Sequence, residues 1–249
     1  MCVEVLKSKA EIEAARRELR RRGLSFTSPW WKRLAHKAGI SSAIDVGDEL
    51  KSWDVLKTVH FIERNVSQSD PILDMGAFAC EVLCILHNLS YSNLAGIDLN
   101  PNIKKMPYAE TVRYHVANFM HTQFDSESFQ VIYANSVIEH GFKSRQLLTE
   151  ISRLLRPGGY FIASFDYWPA RVDTSGISFF GMDWTIFSEH EVRRFIDEAR
   201  SYQLTPRGGI DLSGSERPIK CAQKEYTFAW LVLQKSVPNH TSCSSLPIS

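Results

Sequence analysis

Gly76 and Asp98 are the residues whose types and spacing most directly imply chemistry in this chain. Gly76 follows an apolar run over 72–75 and lets the backbone turn sharply where a side chain would obstruct a ligand. Asp98 falls 22 positions later, near the end of a second apolar run over 94–99. A carboxylate placed there can accept both hydroxyls of a ribose. The whole stretch 71–101 reads as strand, turn, amphipathic helix and strand, the first β-α-β unit of a nucleotide-binding α/β fold. Plainer readings stand beside these. A glycine after a strand is often a simple turn, and Asp98 before Asn100-Pro101 can start one.

The elements that would position such residues follow from hydrophobic periodicity. Further strands are expected over 112–116, 129–134, 159–165, 204–209 and 226–234. The last, YTFAWLVLQK, is the longest apolar run and reads as a buried strand. Helices are expected from Lys9 to Arg22, stopped by Gly23, and from Ser28-Pro29 through Trp30 and Trp31 to Lys37. A third runs from Gly47 or Asp48 to Asn65, with Leu50, Trp53, Leu56 and Val59 near helical spacing, and would cover the sheet. Ser188 and Glu191 form a capping box for a later helix. These elements divide the chain into a basic helical segment over 1–47, a main domain over 48–235 and a polar, Ser-rich tail over 236–249 expected to be disordered.

The order of motifs resembles that of class I S-adenosylmethionine-dependent methyltransferases, over roughly 55–235. DMGAFACE stands where that family has its methionine-end loop, GIDLNP where it has the ribose acid, and HVANFM at the adenine edge. FQVIYANSVIEHG then matches the fourth strand and its loop, and LLTEISRLLRPGGYFIASF the helix, turn and fifth strand. A nicotinamide-binding domain would instead show G-x-G-x-x-G after its first strand. The resemblance implies a doubly wound, seven-stranded, mostly parallel sheet with an antiparallel last strand, and S-adenosyl-L-methionine as cofactor. It implies that Asp74, Gly76, Ala77 and Phe78 form the methionine end, Asp98 and Leu99 the ribose end. Asn118 and Phe119 would bracket adenine, with Asn135 and Ser136 near the methyl group. Two departures stand out: Phe78 and Cys80 occupy places where the family carries glycine, and Asn118 replaces an acid.

Methyl transfer from a sulfonium needs a nucleophile held in line, and a base if that nucleophile is a hydroxyl. His140, Asp166 and Tyr167 leave the fourth and fifth strands on the expected ligand rim and are the catalytic candidates. Glu139-His140 stands where some relatives read E-x-x-E-H and bind a metal, but Ser136 replaces the first acid, so no metal is expected. Phe165, Tyr167, Trp168, Phe179, Phe180, Trp184 and Phe187 suggest an aromatic wall for a flat or sugar-like acceptor, against the plainer reading that they pack an insertion.

Bulk properties narrow the setting. No apolar run approaches the roughly 20 residues of a membrane span, and the N-terminus lacks the apolar core of a secretory signal. Five scattered cysteines without metal spacing favour reduced thiols and a cytoplasmic protein. The net charge of +1 conceals ten Lys/Arg against four Asp/Glu in the first forty residues. RRELRRRG is read as a solvated helix face rather than a nucleic-acid patch. The expectation is an enzyme acting on a small-molecule or sugar-containing acceptor. A non-catalytic, methyltransferase-like scaffold is the first rival, and an RNA methyltransferase the second.

Overall fold

The computed structural model describes residues 2–27 and 44–238. The helix expected over 28–37, with Trp30 and Trp31, and the end of the tail over 239–249 lie outside the described residues. In chain order the elements are β1 (Val3–Val5), α1 (Lys9–Arg21), a 3-10 turn (Glu49–Lys51), α2 (Ser52–Asn65), β2 (Ile72–Met75) and α3 (Val82–Asn88). Then come β3 (Leu94–Asp98), a second 3-10 turn (Pro101–Lys105), β4 (Arg113–Val116), β5 (Phe129–Asn135), α4 (Ser144–Leu154) and β6 (Leu155–Tyr167). The chain continues through β7 (Ser178–Phe179), β8 (Met182–Asp183), α5 (Glu189–Arg200), β9 (Leu204–Pro206), β10 (Ile219–Cys221) and β11 (Lys224–Lys235).

The main sheet runs in the order β1-β11-β6-β5-β2-β3-β4. Strands β2 to β6 pair in parallel, and β11 inserts antiparallel beside β6, with Ala229 opposite Phe165. The order reverses between β2 and β5, so the crevice at the carboxyl ends of those strands is where such a sheet receives a ligand. Alternating residues feed two separate cores, as the two-residue period of a strand requires. Phe228, Trp230 and Val232 pack with α1, α2 and α3, whereas Ala229, Leu231 and Leu233 pack with α4 and α5. Helices therefore cover both faces, and the doubly wound sheet expected from the sequence is present.

Two differences are instructive. The sequence predicts a helical extension over 1–47, yet β1 forms the antiparallel edge beside β11, with Val3 opposite Leu231 and Val5 opposite Ala229. In α1, Ile12, Ala15 and Leu19 join the same core as α2, so the boundary at 47 marks no break in packing. The strand expected over 204–209 ends at Pro206, because proline has no N–H to donate and Arg207-Gly208-Gly209 turn away. Both β1 and β9 pair with β11, side by side along its length. At RLLRPGG, α4 ends at Leu154 and β6 starts at once, with Gly158 at φ +79. A Cβ on Gly159 would sit 2.9 Å from two backbone carbonyl oxygens, so that position admits only glycine.

Candidate active site

The carboxyl ends of β2, β3 and β5 open into one cavity of about 660 Å3, within the range of roughly 300–1,000 Å3 typical of small-molecule sites. The turn after β2 supplies Gly76 and Phe78, β3 supplies Asp98, and Leu99 and Phe119 add apolar surface. Asn135, Ser136, Val137 and His140 come from the end of β5 and its loop, while Phe180 and Met182 come from the β7–β8 hairpin.

Gly76 sits at φ +90, and a Cβ there would collide with the Val137 side chain. Only glycine lets the β2 turn pass so close to the β5 loop. The Asp98 carboxylate is held from both sides: Phe78 N–H donates to Oδ2 at 3.1 Å and Asn100 N–H to Oδ1 at 2.7 Å. A carboxylate oxygen accepts more than one hydrogen bond, so both remain able to take a hydroxyl. Leu99 is 53% exposed, an apolar side chain left open at the cavity wall. Phe78 lines the cavity without filling it, and its backbone orients the acid.

Beneath this floor Asp74 is buried with neither oxygen in a hydrogen bond, although the Tyr133 hydroxyl and Cys80 thiol face it. Burial pushes its carboxyl up to about 7. Ala77 is buried under the turn against Gly96. Neither Asp74 nor Ala77 lines the cavity, so both support the floor rather than form it. Asn118 is exposed and off the cavity wall, and its side-chain carbonyl accepts from Met120 N–H at 2.9 Å.

The other end is built differently. Asn135 Oδ1 accepts from Thr58 Oγ1 at 3.3 Å, which leaves Nδ2 without a partner. Ser136 adopts φ +56, an uncommon conformation for a residue with a side chain, and its Oγ is also unpartnered. His140 stands edge-on to Phe179 and Phe180, at centroid distances of 5.9 and 5.6 Å. Burial, aided by the charge of Lys51, lowers its pKa to about 4. The imidazole is therefore neutral near pH 7, with Nδ1 unpartnered.

Asp166 lies behind the wall: Oδ2 accepts from Trp184 Nε1 at 2.7 Å, and Oδ1 is 3.9 Å from Lys51 Nζ. Tyr167 is displaced entirely. It is fully buried and donates its hydroxyl to Leu212 O at 2.6 Å. Neighbours on a strand point to opposite faces, so Asp166 and Tyr167 never shared a site. The aromatic wall is corrected likewise. Among its seven expected members Phe180 alone lines the cavity, while Phe165, Tyr167, Trp184 and Phe187 are buried in the cores.

Sequence reasoning missed the contribution of residues before β2. Gly47, Asp48, Lys51, Asp54 and Val55 line the cavity. Asp54 is fully buried, accepts from Ser164 Oγ at 2.6 Å, and has its pKa raised to about 6 by burial. Burial also pushes Glu139 up strongly, Asp166 and Asp54 add to the shift, and Lys51 opposes it. One ammonium thus serves three buried carboxyls. The available signal was Asp54 one position from Trp53, an acid inside an apolar helical stripe. Among the described residues no group of three or more His, Cys, Asp and Glu could hold a metal.

Residues 73–163 match the family described as "Methyltransferase domain". The chain is 24% identical over 162 residues to EEF1A lysine methyltransferase 2 of Danio rerio, covering 57% of this chain and 69% of that one. It is 40% identical over 81 residues to phthiotriol/phenolphthiotriol dimycocerosates methyltransferase of Mycobacterium tuberculosis, covering 30% of this chain and 28% of that one. The fold is similar to that of geranyl diphosphate C-methyltransferase from Streptomyces coelicolor, with TM-score 0.53, 17% identity, and coverage of 72% and 78%. That enzyme was crystallised with S-adenosyl-L-homocysteine. The cradle described above suits the same class of cofactor: a doubly anchored acid for a ribose, exposed Leu99 and the largely buried Phe119 for a purine, and a glycine turn beside them. Residues 73–163 thus carry a methyltransferase domain, set in a fold similar to that of S-adenosylmethionine-dependent methyltransferases.

Proposed function

We propose that the protein methylates a small-molecule or sugar-containing acceptor that enters past His140, Phe180 and Met182. One observation carries this reading: the anchored Asp98 and the unpartnered Asn135, Ser136 and His140 line one cavity. When bound, S-adenosylmethionine supplies a methyl group on a positively charged sulfur. Asp98 would hold the ribose, Leu99 and Phe119 the adenine, and the Gly76 turn the methionine end. Asn135 Nδ2 is a donor held in place by Thr58 and suits an acceptor oxygen. His140 is neutral near pH 7, so its ring nitrogen can take the proton that a hydroxyl acceptor loses. Asp166 contributes by fixing Lys51 and Trp184 rather than by touching the acceptor.

The scaffold alternative rested on Phe78 and Cys80, and Phe78 leaves the cavity open. An RNA-binding role is not favoured, because Arg16, Arg20, Arg21 and Arg22 are already paired with Glu81, Glu49, Glu18 and Glu63. No described helix is long and apolar enough to cross a membrane. Cys2, Cys80, Cys84 and Cys221 are free thiols, which suits a cytoplasmic setting. The test is incubation with methyl-labelled S-adenosylmethionine and a fractionated metabolite extract. Label in a small-molecule fraction supports the proposal; cofactor binding with no transfer to any fraction favours the scaffold.

A further inference from the structure

We propose that α1 is a working part of the cofactor site, with Arg16 and Glu81 as positioning residues for the turn at 76–81. This rests on the cofactor reading above. The turn, GAFACE, has one glycine, yet Ala79 within it sits at φ +62. A residue with a Cβ is held in that conformation only when its surroundings impose it. The restraints come largely from the segments before β2. Gly47 N–H donates to Ala79 O at 2.9 Å, and Glu81, closing the turn, is gripped by Arg16 at 2.6 and 3.1 Å. Phe26 N–H adds a bond to the same carboxylate at 3.0 Å.

Arg16 spends its whole donor set on this junction. Beyond Glu81 it reaches Ser52 Oγ at 2.8 Å, Ser25 Oγ at 3.0 Å and Asp48 O at 3.0 Å. All five N–H groups of the guanidinium are thereby used. The pair is buried, with side-chain exposures of 5% and 0%. Buried ion pairs contribute little net stability over an apolar pair of similar volume, and their best-attested use is to fix an arrangement. The arrangement fixed here joins two parts of one cavity wall, Gly47 to Lys51 and Phe78 to Glu81. External bracing thus replaces the conformational freedom that glycines at 78 and 80 would give.

The experiment compares two ligands by calorimetry. S-adenosylhomocysteine carries the amino-acid end; 5′-methylthioadenosine keeps the adenosine but lacks that end. Arg16→Met combined with Glu81→Leu removes the ion pair while keeping apolar volume. It is expected to weaken S-adenosylhomocysteine tenfold or more and methylthioadenosine by a clearly smaller factor, passed on through the Phe78 N–H bond to Asp98. Adding Ala79→Gly, which removes the strain the brace opposes, should restore most of the lost affinity. Arg16→Lys keeps the charge but loses the fork, and carries the same test if the double variant does not fold. Variants that bind both ligands as the wild type does, or lose both equally, overturn the brace while leaving the cofactor reading intact. A wild-type protein that binds neither ligand overturns both.

Discussion

The two ends of the cavity are held by opposite means. Toward Asp98 the lining acids are engaged: Asp98 by two backbone N–H groups, Glu81 by Arg16, and Asp48 by the Leu50 N–H. Toward His140, Asn135 Nδ2, Ser136 Oγ and His140 Nδ1 accept or donate no hydrogen bond, nor do Glu139 Oε2 and Asp166 Oδ1 behind them, the latter facing Lys51 Nζ at 3.9 Å. Leaving a buried polar group unpaired costs about 1–3 kcal/mol. Several of these groups fall in the single loop that follows β5. The contrast fits the proposed reading of a preset cofactor end, held by main-chain N–H groups and Arg16, and an acceptor end whose polar groups would be completed on binding.

The largest effect should come from breaking the preset end. Gly76→Ala forces a side chain to φ +90 and into Val137. It should lower stability by about 2–4 kcal/mol in urea unfolding and abolish cofactor binding. A variant as stable as the wild type would show that the turn is not rigid.

At the acceptor end the sign reverses. Asp54 is buried, and its pKa is raised from 3.8 to about 6. A carboxyl that holds its proton more tightly when folded destabilises the ionised protein above the folded pKa. Asp54→Asn, which still accepts from Ser164, should therefore gain about 2–3 kcal/mol at pH 7.5. That gain should fade between about pH 6 and 4, as wild-type Asp54 becomes protonated in both states. Melting curves across pH check it, and a loss of stability at pH 7.5 would show Asp54 to be a needed partner of Lys51.

Smaller effects sharpen the boundary of the site. Tyr167→Phe removes the bond to Leu212 and should cost about 1 kcal/mol without altering methyl transfer. Lost transfer in a folded variant would return Tyr167 to the site. The pKa of His140 is lowered to about 4, so its protonation should leave the pH profile of transfer unchanged down to about pH 5. An acid limb that disappears in His140→Asn would contradict its neutral state.

Legibility in the sequence follows the same division. Gly76 and Asp98 were readable because a strand, a turn and a strand are local, and their spacing fixes both positions. Asn118 was placed near the right loop, but its side chain serves its own turn, a choice that spacing leaves open. Strand β1 is three residues long and exists only because β11 offers an edge some 225 positions away. Helical spacing assigned Leu50 to the covered face, yet it is 44% exposed whereas Asp54 is buried. The hairpin carrying Phe180 and the acids around Lys51 arise from tertiary packing, which no local pattern encodes.

The central claim is that Asp98 holds a ribose in a preset cradle, and calorimetric titration of S-adenosylhomocysteine into wild type and Asp98→Ala tests it most directly. The account predicts one-to-one binding to wild type, and a loss of about 1.5–3 kcal/mol in the variant, roughly ten- to over a hundredfold in Kd, with the ligand-free melting temperature little changed. Equal affinity in a folded Asp98→Ala protein, or no binding by wild type, would contradict it.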